Sequence, residues 1–194
     1  MVRIVKRGFR TGRAPGFTLA EVLVALALIA LLAAVLLPTV AGQILKGDAG
    51  RVQTDLEGVR SGIDQFLADV HRYPGKYSDL SKLIVASDAG HVDINGNQYT
   101  TGLKNRWSGP YVQKDTVTAT IPTGYGGAIQ NTFMKVANTN AVNYVTIVIT
   151  GINGPDFDRI DLQVDGVVDR TKGLLRWNST GGIDSTKYLA TPIQ

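Results

Sequence analysis

The chain has 194 residues, carries 20 Lys and Arg against 16 Asp and Glu, and contains no cysteine. That length holds one modest domain plus a membrane segment. The missing thiols exclude cysteine nucleophiles, zinc–thiolate sites, iron–sulfur clusters and any disulfide framework. A net charge of +4 would suggest an anionic partner, but the excess is confined to the start. Arg3, Lys6, Arg7, Arg10 and Arg13 precede Phe17 with no acidic residue among them. Without those five, 15 basic residues face 16 acidic ones, a net of −1. The basicity belongs to a topogenic leader rather than to a binding surface.

Residues 1–16 form that leader and end in Arg13-Ala14-Pro15-Gly16. From Phe17 to Ala41 only Thr18, Glu21, Pro38 and Thr39 interrupt the apolar run. As a helix it would span about 37 Å, enough to cross a bilayer core of about 30 Å. The positive charges before it predict a cytoplasmic N-terminus and export of the chain beyond the span. Residues 42–72 continue differently. Val52, Leu56, Val59, Ile63, Phe66 and Val70 recur in steps of four and three, one face of an amphipathic helix. Tyr73-Pro74-Gly75 is expected to end it, since the residue before proline disfavours helical backbone.

Residues 73–194 read as a β-rich head. Tyr144–Thr150 is the clearest strand, and Gly173–Trp177 offers another. Arg159–Val164 alternates, with Ile160, Leu162 and Val164 against Arg159, Asp161 and Gln163, and Asp165-Gly166 reads as a hairpin turn before Val167-Val168. The simplest fold is α+β: a small antiparallel sheet packed on the amphipathic face of the long helix.

Gly16-Phe17-Thr18-Leu19-Ala20-Glu21, followed by an apolar helix, resembles the class III signal of type IV pilins and type II secretion pseudopilins. The resemblance implies a pilin-like fold and cleavage by a prepilin peptidase after Gly16, with methylation of the new N-terminal Phe17. It implies that Glu21 pairs with the α-amine of Phe17 in a neighbouring subunit. Pro38 is then the helix-weakening proline near the membrane exit, with Gly42, Gly47 and Gly50 assisting. An ionisable residue at that depth costs about 2.5–3.5 kcal/mol on insertion scales, so Glu21 needs such a reason. The implied partners are other pilin or pseudopilin subunits in a homopolymer, the peptidase and an inner-membrane assembly platform. The implied location is the inner membrane as a single-pass precursor, then a periplasmic pseudopilus or a cell-surface pilus.

Arg72-Tyr73-Pro74 with Leu80 and Leu83, then Trp107-Ser108-Gly109-Pro110-Tyr111-Val112, resemble the segment after the helix in major pseudopilins. Common turn signals with aromatic anchors would look the same. The Thr/Asn-rich stretch between Tyr125 and Asn143 departs from that subfamily and leaves major pseudopilin, major pilin and minor pilin open.

Asp156, Asp158, Asp161, Asp165 and Asp169 fall within 14 residues. Calcium takes six to eight oxygen ligands from such loops, and major pseudopilins bind calcium near their C-terminus. Calcium at Asp156, Asp158, Asp161 and Asp165 is therefore the candidate cofactor site, with solvated strand and turn aspartates as the simpler expectation. No catalysis is expected. His71, near the helix end, and His91, in a polar loop, read as solvent-facing or capping, and Gly124-Tyr125-Gly126-Gly127 does not join a strand to a helix as a phosphate loop does. A minor pilin binding DNA or serving adhesion is the alternative function. Its basic and aromatic candidates, Lys104, Arg106, Trp107 and Lys114, or Arg159, Arg170, Lys172, Arg176 and Trp177, sit among acidic neighbours, so nucleic acid is not an expected partner.

Overall fold

The computed structural model describes residues 16–85, 90–114, 119–123, 126–180 and 183–194. The leader, apart from Gly16, lies outside them, as do Gly124 and Tyr125 of the glycine-rich stretch. The chain divides into two compact units at Gln43/Ile44.

The first unit, up to Gln43, contains the opening half of α1 (Leu19–Val70). Its large apolar side chains lie open: Phe17 is 88% exposed and Leu37 68%. The helix is long and apolar enough to cross a membrane. Helix is retained through Pro38, although proline has no N–H to give; beside it the Thr39 hydroxyl donates to Leu36 O at 2.7 Å.

The second unit begins with the other half of α1. Val52, Leu56, Val59, Ile63, Phe66 and Val70 are all buried, as their spacing predicts. They share one hydrophobic cluster with Leu80, Ile129, Val145, Ile147, Ile149, Phe157, Leu175 and Tyr188. The helix stops at Val70, two residues before the expected Arg72. His71 takes left-handed backbone at φ 59° and donates its N–H to Leu67 O at 2.9 Å, the hydrogen bond of an αL cap.

Two one-turn helices come next, α2 (Ser78–Ser81) and α3 (Thr101–Lys104). The strands are β1 (Thr120–Pro122), β2 (Ala128–Gln130), β3 (Met134–Ala137), β4 (Asn143–Thr150), β5 (Leu175–Thr180) and β6 (Ile183–Pro192). All pairings are antiparallel, in the order β1-β2-β4-β6-β5, with β3 joined to β4 on the side that β2 uses further along. The α+β, pilin-like arrangement expected from the sequence is present: a long apolar N-terminal helix and an antiparallel sheet. β4 and β5 answer to the strands expected at 144–150 and 173–177, and the Thr/Asn-rich stretch supplies β2 and β3.

The expected strand and hairpin over 159–168 is wrong. Gly154–Asp165 is a helix, α4. Asn153 caps it, its side chain accepting from Asp156 N at 3.0 Å, and Pro155 stands in the first turn, where its missing N–H costs nothing. Phe157, Ile160 and Asp161 are buried with Val164 partly so, a helical spacing rather than alternation. Asp165-Gly166 is the helix end: Gly166 has φ 75° and donates to Leu162 O, a left-handed position that suits glycine.

Candidate assembly helix and the acidic segment of the head

The N-terminus of α1 is closed by a reciprocal cap that the sequence reading missed. Thr18 Oγ1 accepts from Glu21 N at 3.2 Å, and Glu21 Oε2 accepts from Thr18 N at 2.9 Å and from the Thr18 hydroxyl at 2.9 Å. This is a capping box, and Thr18-x-x-Glu21 was its signal. The Glu21 carboxylate thus already satisfies donors of its own helix. Phe17, whose amine cleavage would free, and Gly16 lie just before the cap, both exposed.

In the head, residues Trp107–Lys114 cross α1 as a strap. Tyr111 OH donates to Asp69 Oδ2 at 2.9 Å, and the Ser108 hydroxyl donates to the same oxygen. Lys114 Nζ lies 2.7 Å from both oxygens of Asp55. Between these anchors the strap meets Gly62, where a Cβ would stand 2.8 Å from Val112 Cγ1 and 3.1 Å from Tyr111 O. Trp107, Tyr111 and Phe66 pack edge to face in series. Hydrogen bonds from Ser108 and then Tyr111 hold the Asp69 carboxyl below the usual carboxylate range. The resemblance seen in this aromatic segment therefore corresponds to a built structural element. Its Lys114 is spent on an ion pair, and Trp107 donates Nε1 to Asp79 O at 2.8 Å. A nucleic-acid surface needs free cations beside free rings.

The two histidines stand in different settings. His71 forms the helix end just described. His91 packs its Nδ1 against the buried Asp79 carboxylate, which also accepts from Tyr99 OH at 3.2 Å and Lys76 N at 3.1 Å.

The acidic segment resolves into separate duties. Asp156 pairs with Arg159 at 2.7 Å. Asp158 takes two donors from Arg170, Nε at 2.8 Å and Nη2 at 2.9 Å, and Arg170 also lies 5.6 Å over the Trp177 ring. Asp165 accepts from Leu174 N and Leu175 N at 3.1 and 2.9 Å, while Asp169 accepts from Thr171 N and Oγ1. Asp161 is fully buried; Oδ2 accepts from Asp169 N at 2.8 Å and Oδ1 has no hydrogen-bond partner. Burial first, with the charges of Asp165 and Asp169 adding, raises the Asp161 carboxyl to about 6. Among the described residues no three His, Asp or Glu side chains are gathered to hold a metal ion. Calcium at the four expected aspartates would have to displace Arg159 and Arg170, so the side chains as they stand do not fit it.

Comparison with known proteins adds to this geometry. Residues 13–37 match the family described as Prokaryotic N-terminal methylation motif. The chain is 29% identical over 105 residues to the type II secretion system core protein G of Escherichia coli, covering 53% of this chain and 72% of that one. It is 33% identical over 101 residues to the same-named protein of Klebsiella michiganensis, covering 50% and 70%. With that of Klebsiella pneumoniae it shares 32% over 77 residues, covering 40% and 55%. No solved structure matches.

Proposed function

The chain belongs to the family of the type II secretion system core protein G, and from that premise we propose how it is made and used. It is a structural subunit of a type II secretion pseudopilus; catalysis has no part in that role. The observation that carries the mechanism is the N-terminal methylation motif running directly into the first half of α1, whose large apolar side chains from Leu19 to Val40 are exposed. Such a surface is stable only in lipid or against other helices.

The precursor enters the inner membrane with its basic leader on the cytoplasmic side. Prepilin peptidase cuts between Gly16 and Phe17 and methylates Phe17. An assembly platform then draws the subunit from the bilayer into a polymer of like subunits on the periplasmic side. Glu21 leaves its cap to pair with the Phe17 amine of a neighbour, and this exchange sets the register of the filament. Pro38 weakens the helix ladder where the segment must bend out of the membrane. DNA uptake or surface adhesion, the alternative role, gains nothing from a strap whose lysine is ion-paired.

Mass spectrometry of the membrane-extracted protein tests the processing step. The wild type is expected to begin at a methylated Phe17, whereas Gly16→Ala should retain residues 1–16. Normal maturation of Gly16→Ala overturns the mechanism.

A further inference from the structure

The loop after α4 carries unusual residues for a turn. Gly166 closes the helix by donating its N–H to Leu162 O at 3.1 Å, and Asp169 N donates to Asp161 Oδ2 at 2.8 Å. Between these fixed points two residues, Val167 and Val168, are held out. Turn tips ordinarily take Gly, Pro, Asn, Asp or Ser. Here both valine side chains are exposed, Val167 by 68%. Leu162, one turn back, adds to them: Phe157, Ile160 and Asp161 fill the buried face of α4, while Leu162 is 55% exposed.

Negative charge is kept away from this apolar tip. Asp161, Asp165 and Asp169 accept from backbone N–H groups within the loop and the start of β5, and Asp158 is paired with Arg170. Lys172 is exposed beside them.

The place of the tip in the head gives it a neighbour. The apolar run Phe17–Ala41 fills the bilayer core in the reading above, and only Gly42 and Gln43 separate it from the head, which begins at Ile44. Ile44 therefore stands among the lipid headgroups. Gln163, in the last turn of α4, lines a cavity of about 670 Å³ together with Gly47, Gly50 and Arg51, so this end of α4 stands beside the segment that enters the head. That segment, Ile44–Arg51, exposes Lys46 and Arg51 and carries one carboxylate, the partly buried Asp48.

We infer that Leu162, Val167 and Val168 dip into the lipid surface in which the chain is anchored, and hold the head down on the bilayer before it is drawn into a polymer. This contact presupposes the membrane insertion proposed above and names the face of the head that meets lipid. Apolar side chains on a fixed turn enter the boundary between headgroups and acyl chains, and nearby cations strengthen the contact with anionic lipid. Because the chain is already anchored beside the patch, the contact is intramolecular, and a small patch is enough.

The full-length chain, reconstituted at high lipid excess in vesicles of phosphatidylcholine and phosphatidylglycerol with nitroxide-labelled lipid, provides the test. It contains no cysteine, so a bimane label can be placed through Val167→Cys or, as the control, through Asn140→Cys. Asn140 is exposed in the loop before β4, whose start lies at the far end of the head, where Ile193 N donates to Asn143 O and Gln194 N to Tyr73 OH. Lipid nitroxide should quench the label at position 167 about threefold more than the label at 140. Adding Leu162→Ser and Val168→Ser to Val167→Cys should remove that difference without moving the melting temperature, since both side chains are exposed. Equal quenching at 167 and 140, or quenching that survives both serines, overturns the contact, while flotation of the chain with the vesicles keeps the insertion reading intact. Shielding of position 167 that grows with protein concentration instead of lipid nitroxide places a second copy on the patch, and overturns the contact too. A chain that does not float with the vesicles overturns insertion and contact together.

Discussion

The ammonium of Lys114 sits 2.7 Å from both carboxylate oxygens of Asp55, and the two residues close one end of a strap whose other end is Tyr111 on Asp69. Asp55 and Asp69 flank Gly62 at seven residues on either side, two helical turns each way. The strap is therefore centred on the one position of α1 where a side chain is forbidden.

The two anchors should differ in strength. Lys114 is half exposed, and exposed ion pairs contribute about 0.2–1 kcal/mol. Tyr111→Phe removes a hydroxyl that donates to a carboxylate and accepts from Ser108 N at 2.9 Å, so two hydrogen bonds, one of them to a charged group, are lost together. Denaturant unfolding of the detergent-solubilised chain should rank Tyr111→Phe well below Lys114→Met, and only the Lys114 effect should vanish in high salt.

Alanine at two glycines of α1 should act in opposite directions. Gly58→Ala meets no neighbour and should stabilise the isolated subunit by about 0.5–1 kcal/mol through helix propensity. Gly62→Ala drives a methyl into Val112 and the Tyr111 carbonyl, and should destabilise despite the same propensity gain. Equal melting temperatures for the pair would refute the strap geometry.

His71 holds left-handed backbone, a conformation that costs most residues about 1 kcal/mol relative to glycine. His71→Gly should therefore raise the unfolding free energy by a few tenths to about 1 kcal/mol, measurable as a shift of the urea midpoint at constant slope.

Stability should also fall across the mildly acidic range. The folded Asp161 carboxyl is raised to about 6 against about 3.9 unfolded, so the folded state binds the proton more tightly. Its contribution is complete below about pH 4 and is lost as pH rises through about 6. Asp69, Asp158 and Asp169 are held below the usual range and act the other way, losing stability only as pH falls through their lowered values. Calorimetry should show the melting temperature declining from about pH 4.5 to about 7 in the wild type, and little decline in Asp161→Asn.

Glu21→Gln separates capping from charge. Glutamine preserves the capping box with Thr18 and lowers the cost of membrane insertion, so processing and membrane content should match wild type. Polymer should be lost if the carboxylate pairs with the Phe17 amine of a neighbour; normal polymer in sheared fractions refutes that pairing.

Much of this architecture was legible because α1 states its periodicity plainly: six apolar residues in steps of three and four all proved buried. α4 was hidden by its composition. Arg159–Val164 alternates in polarity, yet Asp161, an outward polar position in that pattern, is buried against the following loop. The Asn153-Gly154-Pro155-Asp156 cap was the stronger signal and outweighs six residues of apparent alternation. The Glu21 cap is easily overlooked because a role inside the membrane already accounts for the residue. The strap is visible as a motif, but its anchors lie 39 to 59 residues away in sequence, and no local pattern reveals partners at that range.

The position of β6 has a consequence for biogenesis. This strand lies between β4 and β5, and its Thr191 hydroxyl donates to Asp64 of α1 across 127 residues of sequence. In the export proposed above, the buried face of α1 would emerge first and wait uncovered until β6 had crossed. The membrane half of the helix can be threaded and anchored meanwhile, because it needs nothing from the head. Translocation in that direction would set the order of events: anchorage early, closure of the head late, and between them an interval when a chaperone or a protease would find the subunit open.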